Sequence, residues 1–266
     1  MFPFRDNIPS HSVPLVTYVL ILINALVLAV MWQMPEEKQD DVIYEYAFIP
    51  ARVAQLTIQR PLEIEANREV EVRPGEVEVV KKKIELPADR AAIIFSIFSS
   101  MFMHGGLMHL LGNMWFLYLF GDNVEDRLGK FRYVMFYLIG GFAAVACHWL
   151  NDPRSTTPVL GASGAVSAVL GGYVVTWPHA RIKTLVTIVI ITVIELPALL
   201  FLGGWFAMQI YSALTPDDGM GGGVAWWAHI GGFICGAVLM PALRHPEAAP
   251  EPDPFDFSSH RRFGDF

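Results

Sequence analysis

Long apolar stretches joined by polar connections dominate the hydropathy pattern of the chain. Six of them approach or exceed the roughly 20 residues that a helix needs to cross the hydrocarbon core of a bilayer. They run over 13–34, 95–120, 133–150, 160–177, 184–212 and 225–243. The first is too long for the apolar region of an ordinary signal peptide, so we expect it to remain as a helix. The pattern predicts an all-α membrane protein with six transmembrane helices, of which helices two to six occupy 93–243.

Charges in the connections predict how the six spans are oriented, because Lys and Arg accumulate in cytoplasmic loops. Basic residues follow spans two, four and six, whereas the connection after span three holds one Arg and the connection after span five holds no base. We therefore expect both termini on the cytoplasmic side. Residues 1–12 form the cytoplasmic N-terminus, and 244–266, rich in Pro, Glu and Asp, are expected to form a disordered cytoplasmic tail.

The largest polar segment, 35–92, is expected on the extracytoplasmic side. Within it valines alternate with Glu and Arg, and the turn-forming sequence Arg-Pro-Gly-Glu stands at 73–76. This pattern predicts a short β-hairpin on the outer membrane surface, with a flexible acidic loop as the alternative. Three lysines at 81–83 argue against the orientation, but the segment is close to the length at which the charge rule weakens.

Composition excludes several classes of protein. Hydrophobic residues make up 53% of the 266 residues and charged residues only 17%, against about 25% charged in soluble domains. Soluble and disordered chains are therefore disfavoured. The net charge of -7, from 26 acidic and 19 basic residues, without a basic face, argues against a nucleic-acid partner. Cys147 and Cys235 lie inside apolar spans, where a structural disulfide is not expected.

Four polar residues interrupt the apolar spans and mark a candidate site. His109 and Asn113 lie in the first half of span two, Ser163 begins span four, and His229 lies one turn into span six. Polar groups are costly within a membrane and usually mark a pathway or a reactive site. Spans two, four and six run in the same direction, so these groups are expected to meet at one depth, in the outer leaflet.

Two stripes of small residues indicate which spans touch, because Gly and Ala at four-residue spacing let helix backbones approach closely. The stripes are Gly164, Ala168 and Gly172 on span four, and Ala228, Gly232 and Gly236 on span six. Contact between them would bring the Ser163 hydroxyl and the His229 imidazole within hydrogen-bond reach. That pair is typical of a nucleophile and its general base.

An acyl transfer also needs hydrogen-bond donors aimed at the developing oxyanion. His109 and Asn113, four residues apart, present their side chains on one helix face. The backbone N–H of Ser163, at the first turn of a helix, has no intrahelical partner and can join them.

Simpler readings exist for these and for other polar residues. A lone Ser in a membrane helix more often bonds to its own backbone, and a lone His is often a packing residue; the predicted convergence favours chemistry for Ser163 and His229. His104 lies off the face of His109 and is read as structural. Roles are not assigned to His148, His179 or Glu195, the last taken as a neutral, hydrogen-bonded acid within span five.

Metal and nucleotide chemistry receive no support from the motifs. The sequence has no HExxH pair and its histidines lack metal-ligand spacing, so a metalloprotease is disfavoured. The glycines at 221–223 are not followed by Lys and are read as a loop.

These residues resemble the motifs of the rhomboid intramembrane serine proteases, and the resemblance covers roughly 13–243. His109 and Asn113 are similar to the family's HxxxN, the run 161–164 to its GxSG, and the run 228–232 to its AHxxG. The resemblance implies a rhomboid bundle and a Ser163/His229 dyad without an acidic third member or a cofactor. It also implies an oxyanion hole of His109, Asn113 and the Ser163 amide, with Gly161, Gly164 and Gly232 as supporting glycines.

The family's substrates are single-pass membrane proteins, cut near the outer leaflet where their helix is weak. The resemblance also implies that the fifth helix and the following loop, here about 196–205 and 216–226, move to admit substrate. No nucleic-acid partner is expected, and we expect a bacterial inner membrane as the location.

Two positions depart from the family pattern. Ser167 stands where many members have a Tyr that packs on the catalytic imidazole, and Trp226 is the candidate to replace it. Phe95 and Ser96 stand where many have a Trp-Arg pair. The alternatives to a protease are a non-catalytic rhomboid-like chaperone or adaptor, which would usually lack the Ser or His, and a small transporter, which would need a continuous polar path.

Overall fold

A computed structural model describes residues 2–73, 76–186, 191–215 and 223–244. The α-helices are α1 (Leu15–Trp32), α2 (Glu36–Tyr46), α3 (Gln55–Ile58), α4 (Arg90–Ser99), α5 (Leu107–Leu128), α6 (Lys130–Asn151), α7 (Ser163–Thr176), α8 (Ala198–Leu214) and α9 (Trp226–Leu243). The strands are β1 (Phe2–Arg5), β2 (Leu62–Arg73), β3 (Glu76–Leu86), β4 (Arg181–Val186) and β5 (Thr192–Pro197). The tail predicted over 244–266 lies, apart from Arg244, outside the described residues.

Within the described part of the chain, three helices are long and apolar enough to cross a membrane: α1, α6 and α9. The pair α4 and α5, bent by 75° at a short break, gives a fourth crossing if it is counted as one span. Helices α7 and α8 are apolar but shorter. Six crossings therefore stay a prediction.

The continuous second span predicted over 95–120 is wrong. The chain leaves the helical conformation at Met103, which is extended, and a new helix begins only after Gly106. Gly105 and Gly106 favour this break, because glycine loses more backbone freedom in a helix than any other residue. After the break, α5 begins with His109 in its first turn, and His109 lines a cavity.

The fifth span predicted over 184–212 is also wrong in its first half. Strands β4 and β5 pair antiparallel there, and β1 adds to β4, giving a sheet in the order β1-β4-β5. The segment is rich in Thr, Val and Ile, whose branched side chains favour strands. The all-α class therefore needs correction, because this sheet belongs to the core region and was not expected.

Glu195 lies in β5 and not within a membrane helix. It faces Lys183 across the strand pair, and the two side chains, each about half exposed, form an ion pair of 3.5 Å. The predicted position of Glu195 inside a membrane helix is therefore wrong, and its ion pair with Lys183 does not support the simpler hypothesis of a neutral, hydrogen-bonded acid.

Segment 35–92 contains α2, α3 and the antiparallel pair β2 and β3, with Leu62 opposite Leu86 and Ile64 opposite Ile84. Paired strands thus stand where the alternation of valines predicts them, while positions 74 and 75 of the turn lie outside the described residues. Arg52, only 2% exposed, joins this unit by donating to the carbonyls of Tyr44, Glu45 and Pro87. Its side of the membrane stays a prediction.

Glu125, at the end of α5, fixes the start of α1. Its carboxylate accepts hydrogen bonds from the backbone N–H groups of Val16 and Thr17, at 3.0 and 2.8 Å, and from the Thr17 hydroxyl. These N–H groups have no partner within their own helix, and the positive end of the helix dipole favours an anion. The two helices are thereby held together at one end.

Helices α7 and α9 touch through their small residues, as the two stripes predict. A Cβ atom on Gly232 would stand 2.0 Å from the Gly164 carbonyl oxygen, and one on Gly236 would stand 1.9 Å from the Ala168 carbonyl oxygen. Only glycine permits this approach of one backbone to the other. The contact between the spans that carry Ser163 and His229 is therefore confirmed.

Candidate active site

The four side chains selected from the sequence line one cavity. His109 and Asn113 reach it from α5, Ser163 from α7 and His229 from α9, and its volume is about 910 Å³. The cavity is also lined by Trp205 of α8. Elements distant in sequence thus bring the predicted residues together in one cavity, whose lining is mostly apolar and includes these few polar side chains.

Ser163 is the first residue of α7 and follows a glycine with an unusual backbone. Gly161 has φ of +129°, a region that side chains disfavour. A Cβ atom there would stand 2.7 Å from His109 Nε2 and 3.6 Å from Ser163 Oγ. The loop is fixed by a hydrogen bond from the Gly161 N–H to the Ser100 carbonyl, at 2.8 Å. The absence of a side chain at Gly161 therefore leaves room for the side chains of His109 and Ser163 to approach this part of the cavity together.

The imidazole of His229 is surrounded by aromatic rings and one amide. The Trp205 ring lies at 6.0 Å between centroids, and the Trp226 ring meets it edge-on at 6.1 Å. His229 Nδ1 lies 2.8 Å from Gln209 Oε1. Trp226 thus contacts the imidazole as expected, but Trp205 and Gln209 contact it as well.

Ser167 does not take the place of the family's tyrosine. Its hydroxyl donates to the Ser163 carbonyl at 2.6 Å, within the same helix. This is the backbone bond that serines in membrane helices commonly make. The surroundings of His229 are therefore supplied by α8 and by the start of α9.

Asn113 is held by the histidine that the sequence places off the face of His109. The amide Nδ2 of Asn113 lies 3.0 Å from His104 Nε2, and His104 is 1% exposed. The His104 ring also meets the His109 ring nearly edge-on at 5.0 Å. Because an amide nitrogen has two hydrogens, one remains for a group in the cavity.

Ser163 and His229 face the same cavity, but among the described residues no hydrogen bond joins their side chains. Catalytic hydrogen bonds are often long without substrate and tighten when it binds. The cavity is thus lined by the Ser163 hydroxyl, the imidazoles of His229 and His109 and the Asn113 amide, which are side-chain types that an acyl transfer can use.

Gln209, like Trp205, is a site residue that the sequence does not identify by any motif. It lies within the apolar stretch predicted as the fifth span, where an amide is as unusual as the histidines that were selected. Its position between apolar neighbours was therefore a usable signal. Within the loop expected to move, 216–226, residues 216–222 lie outside the described residues.

Comparison with known proteins identifies the family. A profile of the Rhomboid domain matches residues 92–246, more than half of the chain. RHOMBOID-like protein 4 of Arabidopsis thaliana is 34% identical over 149 residues, covering 54% of this chain and 32% of that protein. Rhomboid-like protein 11, chloroplastic, of the same plant is 28% identical over 172 residues, covering 60% and 56%.

A third relative, presenilin-associated rhomboid-like protein A, mitochondrial, of Danio rerio, is 26% identical over 165 residues, covering 59% of this chain and 39% of that protein. The chain thus spans from about a third to just over half of the length of these relatives. The match of the Rhomboid profile and the presence of helices apolar enough to cross a membrane both indicate a membrane protein. The chain is a membrane protein of the rhomboid family, which includes serine proteases.

Proposed function

We propose that this protein is an intramembrane serine endopeptidase that cuts membrane-anchored proteins by a Ser163/His229 dyad. The observation that carries the proposal is the shared cavity of Ser163, His229, His109 and Asn113, built on helices whose backbones touch. Family membership supplies the reaction class, since rhomboids include serine proteases. A hydroxyl beside an imidazole is the smallest arrangement that makes serine a nucleophile.

The reaction begins when Ser163 Oγ attacks the carbonyl carbon of the scissile peptide bond. His229 Nε2 takes the hydroxyl proton as the bond forms, and the imidazolium then gives it to the leaving amine. His109, the free hydrogen of the Asn113 amide and the Ser163 N–H stabilise the oxyanion of the tetrahedral intermediate. Water then attacks the acyl enzyme, with His229 again as the base, and releases the second product.

The length of α7 supports a reaction below the membrane surface. Its 14 residues extend only about 21 Å at 1.5 Å per residue, less than the roughly 30 Å of hydrocarbon in a bilayer. Ser163, at its first residue, would then lie within the outer leaflet and would be reached by water through the cavity. A substrate helix must unwind to present a carbonyl there, so segments with weak helix propensity are preferred.

The proposed topology has six crossings, by α1, α5, α6, α7, α8 and α9. Both termini lie on the cytoplasmic side, and the site opens toward the extracytoplasmic side, because basic residues follow the second, fourth and sixth crossings. The partners are the lipid bilayer and single-pass membrane substrates. The three relatives described above come from one plant and one fish, and two of them are named chloroplastic or mitochondrial. They give no support to a bacterial inner membrane.

The test is cleavage of a fluorescent single-pass substrate, with a Gly- and Ala-rich outer segment, in proteoliposomes. We expect the parent to cut it, and Ser163→Ala and His229→Ala to be inactive. Ser212→Ala, on α8 and outside the residues lining the cavity, is the matched control and should cut normally. Equal cleavage by all four proteins would refute the site. Binding of the substrate without cleavage by the parent would favour the chaperone or adaptor alternative.

A further inference from the structure

Gln209 is a buried amide in a helix that is otherwise apolar around it. It is 2% exposed, and its Oε1 lies 2.8 Å from His229 Nδ1 across the α8–α9 contact. A buried polar group costs free energy unless it is paired, and here the partner is the imidazole of the proposed base. The contact therefore calls for an explanation in terms of that imidazole.

A second hydrogen bond fixes which end of the amide faces the histidine. Gln209 Nε2 donates to the Trp205 carbonyl, one turn earlier in α8, at 3.2 Å. The amide oxygen is then the atom directed at His229. An amide oxygen only accepts, so the hydrogen between the two groups belongs to His229 Nδ1.

The position of that hydrogen determines which nitrogen can act as a base. A neutral imidazole carries one proton, so a protonated Nδ1 leaves the lone pair on Nε2. In serine hydrolases with a catalytic triad, a carboxylate accepts the hydrogen of Nδ1 and so leaves Nε2 free to take the serine proton. Here a neutral amide occupies the place of the carboxylate.

Stacked aromatic rings hold Gln209 beside His229. Phe206 stacks on Phe233 with ring centroids 4.3 Å apart and an angle of 14°, and Trp205 lies 6.1 Å from the same ring. Both residues precede Gln209 on α8, and Phe233 is one turn after His229 on α9. Stacking of this kind stabilises the helix pair at the level of the hydrogen bond.

We propose that Gln209 is a positioning residue that sets the tautomer and the orientation of His229, making the site a Ser163–His229–Gln209 triad with a neutral third member. The inference rests on the proposed protease function. The site then depends on α8, because Gln209 can hold His229 in the Nδ1-protonated tautomer only while α8 lies against α9.

The direct test is ¹⁵N NMR of histidine-labelled protein at a pH where imidazole is neutral. The His229 signals are assigned by their loss in His229→Ala. We expect the parent to have a protonated Nδ1 and an unprotonated Nε2, and Gln209→Met, of similar size but without an acceptor, to populate both tautomers. A parent with the proton on Nε2 would overturn the inference, whether or not the protein cuts any substrate.

Kinetics supply the second test. We expect Gln209→Met to lower kcat on the order of 10–100-fold with little change in KM, because a misplaced base costs rate rather than binding. Gln209→Glu, which keeps the acceptor, should restore most of the rate, and Met208→Leu, an exposed neighbour on α8, should be unaffected. Parental kcat in Gln209→Met would refute the role. A parent no more active than Ser163→Ala would refute the proposed function, and NMR would still decide the role of Gln209.

Discussion

The substitution Gly236→Ala tests the contact between α7, which carries Ser163, and α9, which carries His229. A Cβ atom at this position would stand 1.9 Å from the Ala168 carbonyl oxygen and 2.6 Å from its carbonyl carbon, whereas ordinary contacts begin at 3.4 Å. Both neighbours are backbone atoms, which cannot rotate away as a side chain can. The helices must therefore separate by about 1.5 Å, and an added methyl group in a close-packed contact costs about 1–3 kcal/mol.

The expected result is a lower midpoint of thermal unfolding in detergent, by roughly 2–4 °C for each kcal/mol in a chain of this size. Cleavage should fall on the order of 100-fold, since a displacement of about 1 Å in a site can cost that much. Gly203→Ala on α8 is the matched control, because no atom lies within 4 Å of its added Cβ. Equal midpoints for Gly236→Ala, Gly203→Ala and the parent would show that the added Cβ does not clash with the Ala168 backbone.

Three further predictions concern other parts of the fold. Gly161→Ala should lower cleavage strongly and destabilise the fold by about 1–3 kcal/mol, because φ is +129° and the Cβ would stand 2.7 Å from His109 Nε2; unchanged kcat would contradict this. Arg52→Met should lower amide exchange protection in α2 and at the end of β3, because it removes the buried donor to the carbonyls of Tyr44, Glu45 and Pro87, at a cost of about 1–3 kcal/mol. Exposed Arg90→Met is the control. Burial raises the pKa of Asp6 above 3.8, so its contribution to stability is present below pH 3.8 and is lost as pH rises through the raised value. As pH rises through that range, the midpoint of thermal unfolding should fall more in the parent than in Asp6→Asn. The same pH dependence of the midpoint in both proteins would contradict the raised pKa of Asp6.

Much of the site followed from the sequence because its parts follow simple spacing rules. Small residues at four-residue intervals predict the α7–α9 contact, and polar residues at matching depths in spans of the same direction predict the cavity. Both rules use only properties that can be read for each helix separately, namely its spacing pattern and its direction. Neither Ser163 nor His229, taken alone, would have indicated an active site.

The errors occur where apolar sequence does not specify a helix. Residues 184–194 are as hydrophobic as a membrane span, yet β4 and β5 form there, because branched side chains suit strands and β1 supplies a pairing edge from the other end of the chain. Hydropathy does not report that partner. The break before α5 lies within another apolar stretch and depends on two glycines.

The pairing of Gln209 with His229 could not be predicted for a different reason. The sequence displays an amide in an apolar stretch, but its pairing with His229 depends on how α8 lies against α9. No spacing rule connects positions on different helices without the register of their contact. Its partner could be named only once the helices were placed.

Activation of Ser163 by His229 is tested most directly by covalent labelling of the parent with a fluorophosphonate, followed by mass spectrometry of the peptides. The reagent needs an activated serine but no particular substrate sequence. We expect one adduct, on Ser163, that is lost in His229→Ala and forms more slowly in Gln209→Met. An unlabelled Ser163, or labelling that is unchanged by His229→Ala, would contradict this activation.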